Sequence, residues 1–180
     1  MSSFDSISDE DLVEKILSKD HSAFEELVNR YQTPILRYTS RLLNFHPQDG
    51  EDVTSEVFFK AYKNLASFKS NLKFSSWLYR IAHNCCVNLI RDKSKLFYVD
   101  IETFWGVPAK FKDEIKLTHD ELEKVLAKLN PDDRNLLILF HLEEKSLREI
   151  SDIIKLTENT VAVKLRRARI RARKFLNIKL

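Results

Sequence analysis

Glycine is scarce in this chain, which has 2 glycines and 4 prolines among 180 residues. Compact β proteins and nucleotide-binding α/β folds need glycine in their tight turns, so both classes are disfavoured. Leucine, glutamate and lysine are abundant instead, and these residues favour helices. The sequence therefore predicts an all-α fold.

Cysteine and long apolar runs are also in short supply. Cys85 and Cys86 are adjacent, which places their Cα atoms about 3.8 Å apart, too close for an ordinary disulfide. No apolar run reaches the length of a membrane span, and the acidic N-terminus lacks the order of basic and apolar residues found in signal peptides. We therefore expect a soluble, cytoplasmic protein with no membrane insertion, disulfide, metal or cofactor.

Charge is segregated along the chain, although the net charge is only +3. Residues 1–59 contain 5 Lys/Arg against 12 Asp/Glu, a net of −7. Residues 60–95 contain 8 against 1, and residues 146–180 contain 10 against 3, each a net of +7. A polyanion would be attracted to both basic segments and repelled by the N-terminal third. This pattern favours a nucleic-acid partner over an evenly solvated surface.

The spacing of apolar residues predicts two small helical domains. Pro34 is expected to kink or break a helix of the first domain, residues 8–95. Residues 96–117 have no sustained period, which is typical of a linker. The second domain is expected to cover residues 118–180. The helices are predicted near residues 9–17, 22–44, 51–65, 74–95, 118–129, 130–143, 146–155 and 158–176, with a loop at 46–50.

Capping residues mark the starts of several of these helices. Residues 22–25, 118–121 and 146–149 have the Ser/Thr-x-x-Glu pattern of a capping box. Asn130-Pro131 pairs an N-cap with a first-turn proline, and Thr157 is expected to cap the last helix.

Residues 146–169 have the spacing of a helix-turn-helix motif, in which the second helix enters the major groove of DNA. Arginine there can contact guanine edges or phosphates. The alternative is an ordinary arginine-rich surface helix, which the agreement of turn, cap and charge disfavours. The stripe that packs inward is predicted to be Val161, Leu165, Ala168 and Ala172. The outer face is predicted to present Val163, Arg166, Arg167 and Arg173.

Aromatic residues and lysines alternate between residues 58 and 79. Aromatics beside cations suit single-stranded nucleic acid, because unstacked bases stack on rings while lysines hold the backbone. The alternative is a phenylalanine-rich core, which we expect for most of the rings, including Phe58, Tyr62 and Trp77. Phe74 and the loop 69–73 are expected to be exposed. The aromatics are Phe58, Phe59, Tyr62, Phe68, Phe74, Trp77 and Tyr79, with Lys60, Lys63, Lys69 and Lys73 between them.

Three stretches together resemble the extracytoplasmic-function (ECF) sigma factors, the minimal members of the sigma-70 family. The segment EDVTSEVFFKAYKNL (51–65) is similar to their core-binding segment, and FSSWLYRIAHN (74–84) to the promoter-melting segment. The helix-turn-helix resembles the domain that reads the minus-thirty-five element. The resemblance implies a region 2 bundle in the first domain and region 4 in the second. It also implies that the chain directs core RNA polymerase to promoters and assists melting.

The resemblance also assigns residues to partners. The partners implied are promoter DNA, core RNA polymerase through its β′ clamp helices and β flap, and an anti-sigma factor. The linker would run through the polymerase toward the RNA exit path. The residues implied for core polymerase are Asp52, Ser55, Glu56 and Phe59. Those implied for the minus-ten element and a flipped base are Lys69, Asn71, Lys73, Phe74, Arg80, Asn84 and Arg91. Those implied for the minus-thirty-five element are Thr157, Asn159, Thr160, Ala162, Val163, Lys164, Arg166 and Arg167.

The helix-turn-helix differs from the family pattern at two places, and each difference leads to a prediction. Lys155 stands where a turn glycine is usual, so this lysine must tolerate the glycine-like conformation. Ala162 and Val163 occupy recognition positions that are often polar, which favours contact with thymine methyl groups.

Two other functions compete with this interpretation. A helix-turn-helix regulator that acts without core polymerase would explain residues 118–180 but not the first domain. An enzyme would need a site, and His83, Cys85 and Cys86 are close in sequence. On a helix, however, His83 and Cys85 point about 200° apart. The sequence has no ligand cluster and no phosphate-binding glycine loop, so we expect a protein that is not an enzyme.

Overall fold

A computed structural model describes residues 7–44, 46–69, 72–94 and 118–176. These ranges contain α-helices and no β-strand, which confirms the all-α prediction. A short 3-10 turn, Leu65–Ser67, follows the third helix, and a π-helical segment, Ile138–Leu142, follows the sixth. The α-helices are α1 (Asp9–Leu17), α2 (Ser22–Leu42), α3 (Pro47–Asn64), α4 (Phe74–Ser94), α5 (His119–Leu126), α6 (Pro131–Leu137), α7 (Leu147–Ile154) and α8 (Glu158–Phe175).

The N-terminal helices α1–α4 pack around α2, which contacts the other three. Leu27, Ile35 and Tyr38 of α2 are fully buried. Their spacing forms one apolar stripe that crosses Pro34. The predicted break at Pro34 is wrong, because α2 continues through it. Burial of apolar side chains on both sides of Pro34 offsets the loss of the backbone hydrogen bond that a proline cannot donate.

Two helix starts differ from the prediction. Ser22 does not cap α2, because its hydroxyl donates to Asp20 Oδ1 at 2.5 Å instead. Helix α3 begins at Pro47, within the predicted loop, because a proline at the first helical position needs no backbone donor. Gly50 in this first turn lets α3 approach α2, since an added Cβ would lie 2.4 Å from Ser40 Oγ.

The C-terminal helices α5–α8 pack around α8, which contacts α5, α6 and α7. Thr118 and Ser146 form the predicted capping boxes, and Asn130 and Thr157 are N-caps as expected. The predicted inward stripe of α8 is confirmed, with each side chain at most 3% exposed. That stripe is Val161, Leu165, Ala168 and Ala172.

The N-terminal and C-terminal helices pack against each other. Helix α4 contacts α7, and α2 contacts α6 and the π-helical segment. Polar side chains also connect the N-terminal helices with the C-terminal helices. Tyr38 Oη donates to Asn135 Oδ1 at 2.8 Å, and Asn135 Nδ2 lies 3.2 Å from His83 Nδ1. Arg134 Nη1 donates to the Leu42 carbonyl at 2.9 Å.

The predicted linker, residues 96–117, lies outside the described residues. Among the described helices, none has the length and apolar character needed to cross a membrane.

Candidate functional site

One face of α3 consists of the four residues predicted to bind core polymerase. Asp52, Ser55, Glu56 and Phe59 are all exposed, and their spacing places them in one stripe on the helix. Val53, Val57 and Ala61 on the opposite side are buried and hold α3 on the core. The Phe59 ring is 59% exposed. An exposed aromatic ring beside carboxylates suits a protein-binding surface.

Lysines and a second aromatic surround this α3 face. Lys63 Nζ lies 4.4 Å from the Phe59 ring centroid, and Lys60 pairs with Glu56 at 2.6 Å. Tyr62 was predicted to pack inward, but it is 44% exposed, so that prediction is wrong. Its hydroxyl lies 3.1 Å from Nδ1 of His21, the N-cap residue of α2. The three-residue spacing from Phe59 was the available signal that Tyr62 shares its side of α3.

Phe74 is buried, so the prediction that it is exposed is wrong. Its side chain is 1% exposed and contacts Tyr31, Phe68 and Trp77, with ring centroids 5.6, 5.9 and 5.7 Å away. The Phe74 backbone N–H donates to Glu10 Oε1 at 2.9 Å, so α1 caps the start of α4. Helices α1 and α2 thus enclose the ring, which cannot stack on a base in this arrangement.

The second half of α4 presents a polar stripe. Asn84, Asn88 and Arg91 are exposed, and Val87 between them is 39% exposed. Arg91 Nη2 donates to Asn88 Oδ1 at 3.1 Å. Amide and guanidinium groups on one face can contact base edges and phosphates. Asn84 and Arg91 were predicted as site residues, whereas Val87 and Asn88 were missed, although their helical spacing places them on the same face.

The remaining predicted minus-ten residues differ in environment. Lys69 is exposed, and Asn71 lies outside the described residues. Lys73 Nζ pairs with Glu149 Oε1 at 3.0 Å, and Arg80 Nε donates to the Asp152 carbonyl at 2.8 Å. Both cations are therefore directed at α7.

The turn of the helix-turn-helix has the predicted geometry. Lys155 has φ 58°, so a lysine does adopt the left-handed conformation that glycine favours. Ser151 Oγ donates to the Leu156 carbonyl at 2.6 Å and closes the turn. Helix α8 starts immediately after it, with Asn159 exposed and Val163 51% exposed. The predicted base-reading end of α8 therefore faces outward.

Only part of the basic charge of α8 faces outward. Arg166 and Arg167 are partly exposed, although Arg166 Nη2 is buried without a hydrogen-bond partner. Arg169 Nε donates to His141 Nε2 at 3.1 Å, and Arg171 Nη2 reaches Asp133 Oδ1 at 2.5 Å. Sequence reasoning gave Arg169 and Arg171 no separate role, because only the fold reveals their partners. They fasten α8 to the helices beneath it.

The His/Cys stretch of α4 is mostly buried. His83 contacts Asn135, and both cysteines are buried free thiols. Burial raises the pKa of the Cys85 thiol, and the nearby Glu56 carboxylate adds to this effect, so the thiolate is disfavoured. The described residues contain no His/Cys/Asp/Glu group able to hold a metal ion.

Comparison with known proteins decides the family. The chain matches the model of Sigma-70 region 2 over residues 27–96 and that of Sigma-70, region 4 over residues 119–171. It is 32% identical to the ECF RNA polymerase sigma factor SigW of Bacillus subtilis, over 91% of this chain and 94% of that protein. The chain belongs to the ECF subfamily of the sigma-70 family.

Two further similarities agree with this sigma-factor membership. The chain is 30% identical to the ECF RNA polymerase sigma-E factor of Escherichia coli K12, over 91% of each chain. Its fold is similar to that of the sigma factor RpoE solved in complex with the anti-sigma factor NepR from Bartonella quintana, with a TM-score of 0.67 and 21% identity. That similarity covers 87% of this chain and 98% of the other. The region 2 match accounts for the part that a plain helix-turn-helix regulator left unexplained.

Proposed function

We propose that this sigma factor divides promoter recognition between two domains, residues 8–95 and 118–180, joined by residues 96–117. The sigma factor directs core RNA polymerase to specific promoters and assists their melting. Separate family matches to regions 2 and 4 support the division. The polymerase carries out RNA synthesis, so the sigma factor itself needs no catalytic group.

The α3 face is the proposed contact with the clamp helices of the polymerase β′ subunit. The observation that carries this proposal is the exposure of Asp52, Ser55, Glu56 and Phe59 in one stripe. Two carboxylates would give the contact electrostatic complementarity with a basic partner, and the phenyl ring would supply the buried apolar anchor.

The outer face of α8 is the proposed contact with the minus-thirty-five element. Its N-terminal residues lie where a recognition helix meets base edges. Ala162 and Val163 would contact thymine methyl groups, and the partly exposed Arg166 and Arg167 would contact guanine or phosphate. Thr157 and Thr160 share a hydrogen bond at 2.8 Å as part of the helix cap, which leaves Asn159 as the freer polar group.

The exposed stripe of α4 is the proposed contact with the unpaired minus-ten strand. Asn84 and Arg91 would contact the base and the backbone, with Lys69 adding a phosphate contact. Extruding a base costs a few kcal/mol, which these contacts must offset. Asn71 remains a predicted member of this site. Contacts with the β flap and with an anti-sigma factor also remain predictions.

Reversing two charges on the α3 face tests the polymerase contact. Asp52→Arg with Glu56→Arg should weaken binding to core polymerase by several kcal/mol, because like charges replace attraction. Both side chains are exposed, so the helix content should not change. The lost Glu56–Lys60 pair is worth only about 0.3–0.5 kcal/mol.

Charge reversal at Glu14 and Glu25 provides the matched control. These two carboxylates are also exposed, but they lie on α1 and α2. Fluorescence titration of labelled core polymerase with each protein gives the affinities. Equal affinities for wild type and the α3 variant would show that α3 does not carry the contact.

A further inference from the structure

Helix α4, which carries the proposed minus-ten contact, begins at a lysine rather than at a residue that can cap it. The carbonyl of Lys73 accepts the first backbone hydrogen bond of the helix, from the Trp77 N–H at 3.2 Å, so Lys73 occupies the N-cap position. Serine, threonine, asparagine or aspartate at this position accepts a hydrogen bond from a backbone N–H that the helix start leaves unpaired. A lysine side chain only donates hydrogen bonds. The start of α4 therefore depends on an acceptor from elsewhere in the chain.

Glu10 of α1 supplies that acceptor. Its Oε1 accepts a hydrogen bond from the Phe74 backbone N–H at 2.9 Å, across 64 positions of sequence. The carboxylate also lies at the positive end of the α4 dipole, where a negative charge is favourable and the hydrogen bond is charge-assisted. A side chain from a neighbouring helix thus takes the place of the missing N-cap side chain.

The residue before Glu10 fixes α1 in place. Asp9 Oδ1 accepts a hydrogen bond from Arg30 Nη1 at 2.9 Å, and Asp9 Oδ2 accepts one from the Tyr31 hydroxyl. Arg30 Nη1 also donates to the carbonyl of Ile7 at 2.9 Å. Two consecutive carboxylates therefore tie the first turn of α1 to α2 on one side and to the start of α4 on the other.

The end of α4 that Glu10 holds is next to groups assigned to the unpaired strand. The Lys73 side chain is 68% exposed even though its Nζ pairs with Glu149, so it remains open to a phosphate. Asn84 and Arg91 lie further along the same helix, and the direction of the helix axis decides where their side chains are presented. Asn84 is ten residues from the first residue of α4, which is about 15 Å of helix. A small tilt at the start of α4 would therefore displace Asn84 from its place on the strand.

We propose that Glu10 is a positioning residue for the contact between α4 and the unpaired minus-ten strand. It acts through the Phe74 N–H, which holds the start of α4 and so orients Lys73 and the polar stripe of this helix. The inference rests on the proposed function of α4 and adds to it a residue from another helix. It also predicts an effect of unusual sign. Removing a negative charge near DNA ordinarily strengthens binding, whereas loss of Glu10 should weaken it.

Three substitutions at Glu10 separate reach from charge. Glu10→Gln keeps an acceptor oxygen at the same reach but loses the charge. Glu10→Asp keeps the charge but is one methylene shorter, and Glu10→Ala loses both. If the bond to the Phe74 N–H matters, Glu10→Asp and Glu10→Ala should both weaken strand binding and Glu10→Gln should restore it. Should Glu10→Ala fold poorly, the other two variants decide the question.

Glu14→Ala is the matched control, because it removes an exposed carboxylate one turn further along α1. It changes the net charge as Glu10→Ala does, but it leaves Glu10 bonded to the Phe74 N–H. Urea unfolding measures the stability of each variant. A native protein that loses one helix cap keeps enough stability to remain folded. A loss of stability alone would therefore not change the affinity for DNA.

Each variant is assembled with purified core polymerase, and fluorescence anisotropy gives the affinity of this holoenzyme for two labelled DNA fragments. Both come from one promoter that the wild-type holoenzyme transcribes. The first fragment is duplex and ends upstream of the minus-ten element, whereas the second, forked fragment continues into an unpaired non-template strand. Glu10→Asp and Glu10→Ala should weaken binding of the forked fragment about fivefold, the effect expected for one lost helix cap. Glu10→Gln and Glu14→Ala should bind it as tightly as the wild type, and affinities for the duplex fragment and for core polymerase should not change.

Three results would overturn the proposal. One is wild-type affinity of Glu10→Asp or Glu10→Ala for the forked fragment. Another is equal weakening by Glu10→Gln and Glu10→Asp, because reach would then not matter. The third is an equal loss for the duplex fragment, because the effect would then not be confined to the unpaired strand.

Asn84→Ala with Arg91→Ala in the same assay separates this inference from the proposed function. If that double variant does not weaken binding of the forked fragment, the proposed α4 site itself is wrong. If it does weaken binding and Glu10→Asp does not, the α4 site stands and only the role of Glu10 is wrong.

Discussion

Replacing Phe74 by alanine tests how the N-terminal helices are packed. The side chain is 1% exposed and lies among three aromatic rings at centroid distances of 5.6 to 5.9 Å. Removing a buried phenylalanine costs about 3–5 kcal/mol, through lost burial and the cavity left behind. Because native proteins are stable by only about 5–15 kcal/mol, Phe74→Ala should remove a large part of the free energy of unfolding.

Phe59→Ala provides the matched control, because it deletes the same side chain from an exposed position on α3. That ring is 59% exposed and has one cation–π contact with Lys63, worth about 0.5–1 kcal/mol. The free energy of unfolding of the Phe59→Ala variant should therefore fall by less than about 1 kcal/mol. The affinity of this variant for core polymerase should weaken.

Urea unfolding followed by circular dichroism measures both variants. If Phe74→Ala lowers the free energy of unfolding no more than Phe59→Ala does, the Phe74 ring is not enclosed by its three aromatic neighbours. Stacking on a flipped base would then again be possible for this residue.

Three further predictions concern the turn, a buried histidine and the α4 stripe. Lys155→Gly should stabilise the protein by about 0.5–1 kcal/mol, because relief of the left-handed strain exceeds the entropy that glycine adds to the unfolded chain; a lower melting temperature would contradict this. Burial, with the nearby Arg169 guanidinium, lowers the pKa of His141 to about 4. Its neutral form therefore stabilises the fold above pH ~6.5, and that contribution is lost as pH falls toward 4. His141→Gln should flatten the pH dependence of the melting temperature over this window, and an unchanged slope would argue against it. Asn84→Ala with Arg91→Ala should slow promoter melting, which is measured as permanganate reactivity of thymines. Initiation by this variant should partly recover on a pre-melted template. Melting at the wild-type rate would show that α4 does not bind the minus-ten strand.

The local parts of the fold were predictable from the sequence. The capping boxes at Thr118 and Ser146, the turn at Lys155 and the inward stripe of α8 depend on residues within a few positions of one another. The predicted box at Ser22 failed, because the hydroxyl of Ser22 donates to Asp20 instead. The α3 residues were implied by the family resemblance, and their helical spacing is consistent with one exposed face. These features are fixed by short-range backbone geometry, which the order of residues encodes directly.

The environments of several site residues were not predictable, because distant elements create them. Phe74 follows a basic loop, and nothing nearby in sequence shows that Tyr31 and Phe68 enclose it. Arg80 has the same local pattern as a DNA-binding arginine, yet its partner is the carbonyl of Asp152, 72 positions away. Arg171 likewise pairs with Asp133 from another helix. Tertiary packing, which a single sequence does not display, determines each of these contacts.

Run-off transcription with purified core polymerase on a library of promoter fragments tests the central claim most directly. The wild-type chain should cause core polymerase to start at discrete sites that share two sequence elements. The Asp52→Arg and Glu56→Arg variant should lose this activity, and its control at Glu14 and Glu25 should keep it. Transcripts that are the same with and without the chain would contradict the claim that it is a promoter-directing subunit of the polymerase.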